Sequence, residues 1–424
     1  MSRVLPSAIV LLCSAVSLVA GEAERQPVTL SVDFGADAGK VSPRAGFLGG
    51  LRDELPDELI QPLNPSLWRI GHQFRGRIKA GLTGAIARVE KLGAKYKLVM
   101  SDLIPSGPTM GRDWPDFDWH VYEENVKKLV GQAGLSAASV IWEPVNEPDI
   151  SHKPLDKYYE LYGHAFKALR EANSSLEICG PGFAFPSYEK YEPFLKYCRD
   201  NKLECNYVAW HFTGWDPHWP EQAKWKLGKM REFIAAYPEQ KIKEIHCDEW
   251  GAGPDKPGRL HPGRAIVWFH YLENVYRVER ACRANWGKED DYLGGIVTTK
   301  GEPYPVYHAY RWYAAAKGQD RAATYGNTRV LACLASKNAE GAQIIVGSIC
   351  PAEIPVVLEL KQLGMKDFKL AVHVLPNANL DKPLAEAEIP ACKDVTTEQQ
   401  GDVLRVKLPK VAENEAYRIV LTKP

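Results

Sequence analysis

Two acidic segments of this 424-residue chain carry the residue types needed to break a bond at an acetal carbon. The first is Trp142-Glu143-Pro144-Val145-Asn146-Glu147-Pro148-Asp149, an apolar run that delivers a carboxylic acid. The second, Ile245-His246-Cys247-Asp248-Glu249-Trp250-Gly251, places another acid 102 residues after Glu147. Hydrolysis of a glycosidic bond needs two such groups at strand ends, one to protonate the leaving oxygen and one to meet the developing oxocarbenium ion. Glu147 and Glu249 are the candidate pair. Glu143 and Asp248 precede them within the same strands, and alternation is expected to turn them toward the wrong face, leaving them a supporting role at most.

Such acids must be held by a rigid frame, and the chain supplies one. From about residue 44, eight short apolar or β-branched runs alternate with amphipathic stretches. The runs are 46–49, 67–70, 96–100, 139–142, 176–179, 207–210, 244–247 and 281–284, spaced by about 30 to 35 residues, which predicts a (β/α)8 TIM barrel. Helical spacing is visible over 122–129 and 155–169. An open doubly wound sheet would alternate too, but no strand is followed by a G-x-G-x-x-G turn. Beyond the helix 307–317, runs at 329–332, 343–347, 356–360, 370–374, 403–406 and 417–420 follow one another without long helices, which predicts a C-terminal antiparallel β-sandwich. The expected division is a leader over 1–23, a barrel over 24–320 and a sandwich over 321–424, with 28–35 available as an extra sandwich strand. In the barrel the C-terminal strand ends form the active face. Glu147 then follows strand four and Glu249 ends strand seven, three units apart.

Bulk properties narrow the ligand class. Lys plus Arg and Asp plus Glu both number 53, and no basic block suggests nucleic acid or an anionic membrane as partner. Twelve Trp and nineteen Tyr suit sugar faces, although aromatics also fill cores. Arg3, the apolar run 8–20 and small residues Ala20, Gly21 and Ala23 have the layout of a secretory signal peptide, too short for a membrane span. A secreted or periplasmic location is expected, and Cys13 is a poor lipidation site. Eight cysteines remain after this segment; Cys198 and Cys205 are close enough for a disulfide, with that pairing left open, and Cys247 and Cys282 fit equally as buried thiols on strands. The scattered histidines show no metal-binding spacing, so no metal and no cofactor are expected.

With Asn146-Glu147-Pro148 after an apolar strand and a glutamate ending the seventh, the chain resembles clan A glycoside hydrolases, and family 39 in particular. Arg69 with His72, Gly180-Pro181, His211 and Trp286 match the same family pattern over most of residues 44–318. The resemblance implies Glu147 as general acid/base, Glu249 as nucleophile, Asn146 as donor to the sugar 2-hydroxyl, His211 as a partner orienting the nucleophile and Trp286 as the platform under the reacting sugar. Arg69-Ile70-Gly71-His72 has one residue more between Arg and His than the usual family motif.

Independently of the family, a proton donor needs a raised pKa, and Trp142 and Pro148 are expected to wall Glu147 from water. Glu249 must stay ionised, which hydrogen bonds from His211 or Arg69 would favour. Retention through a covalent intermediate would place the carboxyls ~5 to 5.5 Å apart. Trp215 and Trp219, in a Pro-rich segment after strand six, are candidate sugar-stacking walls or rim caps. Family 39 includes β-xylosidases and α-L-iduronidases. The Asp248-Glu249 pair looks closer to the iduronidase pattern, whereas His211-Phe212-Thr213-Gly214 offers no cation for a uronate; Arg69 or Arg283 would have to serve. A neutral pentoside such as a β-xyloside, cleaved from a chain end, is the leading expectation. A uronic-acid glycosidase and a non-catalytic carbohydrate-binding barrel are the alternatives.

Overall fold

A computed structural model describes residues 26–49, 51–71, 81–104, 112–114, 118–212, 219–251, 260–284 and 292–424. The signal-like segment and Cys13 lie outside these residues. Eight strands close into a barrel: β1 Ala45–Leu48, β2 Leu67–Gly71, β3 Lys95–Val99, β4 Val140–Glu143, β5 Glu177–Phe183, β6 Tyr207–Phe212, β7 Glu244–Trp250 and β8 Arg280–Arg283. Each strand pairs in parallel with its sequence neighbours, and β8 closes on β1. All eight coincide with the predicted runs to within a few residues.

Helices clothe the barrel because their apolar residues recur on one face. Asp156–Ala172 buries Tyr158, Leu161, Tyr162, Ala165, Ala168 and Leu169, the spacing of one helical stripe. Trp119–Ala133 begins where the Asp118 carboxylate accepts from the His120 amide at 2.8 Å, satisfying an otherwise unpaired N-terminal donor. Inside the barrel, Leu67, Ile141, Cys179, Tyr207, Ala209 and Cys282 form a small apolar layer. Strand periodicity then dictates what lies above it. Two residues beyond Leu67, Ile141 and Ala209 on the same face come Arg69, Glu143 and His211, all buried.

Two five-stranded sheets make the sandwich. One has the order Ala323–Tyr325, Val28–Asp33, Ile354–Lys361, Val403–Val411, Thr396–Gln400; the other Asp320–Arg321, Leu331–Lys337, Gly341–Ser348, Ala416–Thr422, Lys369–Leu375. Val28–Asp33 runs parallel to Ile354–Lys361, the exception in an otherwise antiparallel arrangement. Ile354–Lys361 alternates buried and half-buried residues, as a strand with one core face must. Thr396–Gln400 is wholly exposed and polar, an edge strand with no apolar alternation to betray it.

The two parts share a buried polar joint. Glu273 accepts from the Tyr313 hydroxyl at 2.5 Å and pairs with Arg321 at 2.9 Å, where the sandwich begins. Cys198 and Cys205 are both free and buried, so the disulfide alternative is not formed; their thiols fill apolar space instead. Among the described residues no helix is long and apolar enough to cross a membrane.

Barrel closure between β1 and β2 depends on Gly46, where a Cβ would come within 2.0 Å of the Leu67 carbonyl oxygen. Gly46→Ala is therefore expected to lower unfolding free energy by at least about 1 to 3 kcal/mol, the usual penalty of overpacking. A urea titration measures this, and an unchanged midpoint would count against a tight β1–β2 approach.

Candidate active site

Arg69, in the middle of β2, organises the charged layer. Its Nε and Nη2 donate to the two Glu143 oxygens at 2.8 and 2.7 Å, a bidentate pair. Nη1 donates to Glu249 Oε1 at 2.8 Å, and Nη2 also reaches Asn146 Oδ1 at 2.6 Å. Removing one member of such a buried array leaves an uncompensated charge, which typically costs ~3 to 5 kcal/mol. The Asn146 side-chain oxygen is thus held by Arg69.

Glu147 and Glu249 expose 9% and 6% of their surface, nearly buried yet open to the barrel mouth. His211 Nδ1 lies 2.8 Å from Glu147 Oε1 and 3.7 Å from Glu249 Oε1. One ligating atom from each of these three residues lies within 4.8 Å of the others. A group of that composition can hold a metal ion, and motif spacing could not reveal it because the three come from different strands. Here Arg69 already supplies the positive charge at Glu249, while the His211 nitrogen is engaged with Glu147.

The backbone around Glu147 is unusual. Its φ of 46° is left-handed, a region that costs a non-glycine residue about 1 kcal/mol or more. The strain is overdetermined on both sides: the Glu147 amide donates to the Gly182 carbonyl at 3.0 Å, and the Asn146 amide to Ser101 Oγ at 2.9 Å. Pro148 follows at once and disfavours the ordinary helical conformation for the residue before it. Gly182 is required for a second reason, since a Cβ there would meet Glu143 Oε1 at 2.7 Å.

Several expectations need correction. His211 is a partner of Glu147 rather than chiefly of Glu249; Arg69 is what holds Glu249. Trp142 does not wall Glu147, because it belongs to the outer core between barrel and helices and donates to the Ala137 carbonyl at 3.2 Å. Glu143 and Asp248 point inward, not away. For Asp248 the reason is a β-bulge. Against β6, Cys247 pairs with Trp210 and Glu249 with His211, and the shift recurs against β8, so Asp248 is the extra residue. A bulge breaks alternation and lets two successive side chains share one face. Asp248 meets Lys97 Nζ at 2.6 and 2.8 Å through its two oxygens. Lys97, wholly buried in β3, is a site residue that the sequence reading missed; a lysine within Tyr96-Lys97-Leu98-Val99 was the available signal. Arg283 turns outward, donating to the Gly294 carbonyl at 2.9 Å and to the Tyr310 hydroxyl at 3.3 Å. His72, Trp215 and Trp286 lie outside the described residues, and Trp219 is placed only as the first residue of helix Trp219–Ala236.

The protonation pattern follows from these contacts. Burial raises the Glu147 carboxyl, but the His211 hydrogen bond and the charges of His211 and Arg69 outweigh it, and the pKa is lowered. Burial lowers His211, yet the Glu249 charge and the Glu147 hydrogen bond outweigh that and raise it. Both shifts favour the carboxylate and imidazolium forms of the pair, opposite to the raised acid expected from the sequence. Burial raises Asp248, but Lys97 and Arg69 hold it well below the carboxylate range. Glu143 stays raised, its burial prevailing over Arg69.

The model of "Glycosyl hydrolases family 39" matches residues 114–269, a stretch that contains both glutamates. The family resemblance read from the sequence is borne out. A β-xylosidase of Caldicellulosiruptor saccharolyticus is 22% identical over 223 residues, covering 46% of this chain and 45% of that protein. The chain therefore matches about half the length of that curated relative. A solved structure from Neocallimastix frontalis superimposes with a TM-score of 0.76 at 18% identity, covering 94% of this chain and all of that one. A monomeric β-xylosidase from Caulobacter crescentus gives 0.64 at 16% identity, covering 93% and 99%. These structural likenesses support the barrel-plus-sandwich fold.

The His211–Glu147 pair makes a pH prediction whose sign is determined. The raised His211 pKa contributes stability that is full below pH 6.5 and fades as pH rises through the folded value. The lowered Glu147 pKa contributes stability present above pH 4.5 and lost as pH falls through its folded value. Wild type should therefore exceed His211→Ala by the most between these limits, with a pH-dependent part of about 1 kcal/mol, since Glu147 is partly solvated. Urea unfolding from pH 4 to 9 reads this out; parallel profiles for the two proteins would refute the ion pair.

Proposed function

We propose that this chain is a retaining glycoside hydrolase acting by double displacement, with Glu147 as acid/base and Glu249 as nucleophile. The observation that carries it is the approach of the two carboxylates on either side of His211, within 4.8 Å. Retaining enzymes hold their carboxyls at about 5 to 5.5 Å, whereas inverting ones leave ~6.5 to 9.5 Å for a water. In the first step a Glu249 oxygen attacks the anomeric carbon as the carbon–oxygen bond to the leaving group breaks, and Glu147 gives that oxygen a proton. In the second, water attacks the same carbon, Glu147 takes the water proton, and Glu249 departs as carboxylate.

The 2.8 Å hydrogen bond to His211 favours the ionised form of Glu147, and it is also the path by which a proton on His211 reaches Glu147 before it is given up. A sugar seated over Glu147 excludes water and removes solvation from the carboxylate, which favours the neutral acid and imidazole. Arg69 meanwhile keeps Glu249 ionised and fixes its orientation. A nucleophile so held needs no reorganisation when the transition state forms.

A neutral pentoside such as a β-xyloside, taken from a chain end, is the substrate class this reading favours. Among the described residues every cation brought to the site, Arg69, Lys97 and His211, already has a carboxylate partner, and Arg283 faces the other way. A uronate would find no unclaimed charge there. The name of the Caldicellulosiruptor relative points to xylosides as well. The signal-like amino terminus supports export.

Incubation with 2,4-dinitrophenyl 2-deoxy-2-fluoro-β-xyloside is expected to leave a covalent sugar on Glu249, located by peptide mass spectrometry. Label on another residue, or none with a full panel of fluoroglycosides, would count against double displacement. Glu147→Ala should keep its rate of glycosylation by dinitrophenyl glycosides, whose leaving group needs no proton. It should lose about 100-fold or more on alkyl glycosides. Undiminished activity of that variant on alkyl glycosides would remove Glu147 from the mechanism.

A further inference from the structure

The double displacement leaves one buried pair unused. Lys97 lies mid-strand in β3, its side chain wholly buried, with Nζ at 2.6 and 2.8 Å from the two Asp248 oxygens and 3.3 Å from Cys179 Sγ. Desolvating an ammonium and a carboxylate costs several kcal/mol each, and well-packed apolar residues of similar volume often do as well or better. The layer around Cys179 is already apolar. Stability alone is thus a weak reason for the pair.

Its position suggests a better one. Asp248 is the bulge residue immediately before Glu249, so two adjacent carboxylates face one guanidinium. Arg69 Nη1 donates to Glu249 at 2.8 Å, while Arg69 Nε stands 3.6 Å from Asp248 Oδ2. Asp248 is also faced by His246, with Nδ1 at 4.0 Å and Nε2 engaged at 2.8 Å with Glu244, and by Glu143, Cys179 and Cys282, none of which brings a second cation. We infer that Lys97 is a positioning residue: by occupying both oxygens of Asp248 it stops that carboxylate from drawing Arg69 away from Glu249. Lys97 thereby sets the orientation of the nucleophile without touching the sugar. The catalytic consequence rests on the double displacement proposed above; the geometric one does not.

The test compares crystal structures of wild type, Lys97→Met and Lys97→Met/Asp248→Asn, together with steady-state kinetics and the rate of Glu249 labelling per labelled site by the fluoroxyloside. In Lys97→Met the guanidinium should move onto Asp248 and its contact with Glu249 should open beyond hydrogen-bond reach. Labelling and kcat should fall about 100-fold, the usual effect of a displacement near 1 Å, with KM changed less than about threefold. The double variant, in which position 248 carries no charge to compete, should recover both the contact and most of the rate. Should Lys97→Met fail to fold, Lys97→Gln gives the same comparison. An Arg69–Glu249 contact intact in the single variant, with Asp248 turned to His246 or protonated, would overturn the inference. So would a wild-type labelling rate in a variant that merely melts earlier. If wild type takes no label from any glycoside, the double displacement fails, and the crystal structures still decide the role of Lys97.

Discussion

Charge in the interior of a barrel is tolerable only when every group has a counter-charge, and Arg69 is the cation on which this site balances. Its three nitrogens address Glu143, Asn146 and Glu249 at once. A lysine could not do this, because a point charge on a flexible stem lacks the planar fork that meets several acceptors in fixed directions. The carboxylates are held apart by sharing one rigid partner, and each side chain is positioned by the others more than by its own rotamer preference. The layer beneath, made of Leu67, Ile141, Cys179, Tyr207, Ala209 and Cys282, keeps water out and so strengthens each of these contacts.

Irregular backbone performs the fine placement. Regular strands would present one inward residue in every two, too sparse for Asp248 and Glu249 to share a face. The bulge in β7 supplies the second, and the left-handed turn at Glu147 lifts its carboxyl toward His211 instead of along the strand. A related shift in β5, between Cys179 and Gly182, brings the Gly182 carbonyl to the Glu147 amide. The register shifts of the barrel, in β5 and β7, fall beside the two glutamates, and the surrounding strands hold them there.

Legibility from sequence tracked this division between regular and irregular structure. All eight barrel strands could be read because apolar runs bounded by turns recur at the spacing of a strand-helix unit. Glu147 and Glu249 were singled out because strand ends are where a barrel exposes side chains, whereas Arg69, Asn146 and His211 were named through the resemblance to family 39; the structure brings the five together. The inward face of Asp248 was missed through an assumption of strict alternation, which a bulge voids, and that of Glu143 because the face was counted back from Glu147, which lies beyond the strand in a left-handed turn, instead of from Ile141. Lys97 escaped notice because a lysine in a strand is ordinarily an edge or surface residue, and nothing local announces a carboxylate 151 positions later. The resting charge of Glu147 was also misjudged, since its sign depends on a histidine 64 residues away and not on neighbours in the chain. In the sandwich, Thr396–Gln400 was invisible because a wholly solvated edge strand carries no periodic signal.

The strand Val28–Asp33 ties the order of synthesis to the order of folding. Its sheet partners are Ala323–Tyr325 and Ile354–Lys361, so on the ribosome it emerges roughly 290 residues or more before anything it can pair with. At ~5 to 20 residues per second that is a wait on the order of tens of seconds, with an alternating apolar strand unprotected. The barrel is enclosed within the sandwich topologically, as a long insertion between strands of one sheet. The whole barrel is therefore synthesised before Val28–Asp33 can meet its first partner, and the sheet that joins the two ends of the described chain can close only after that.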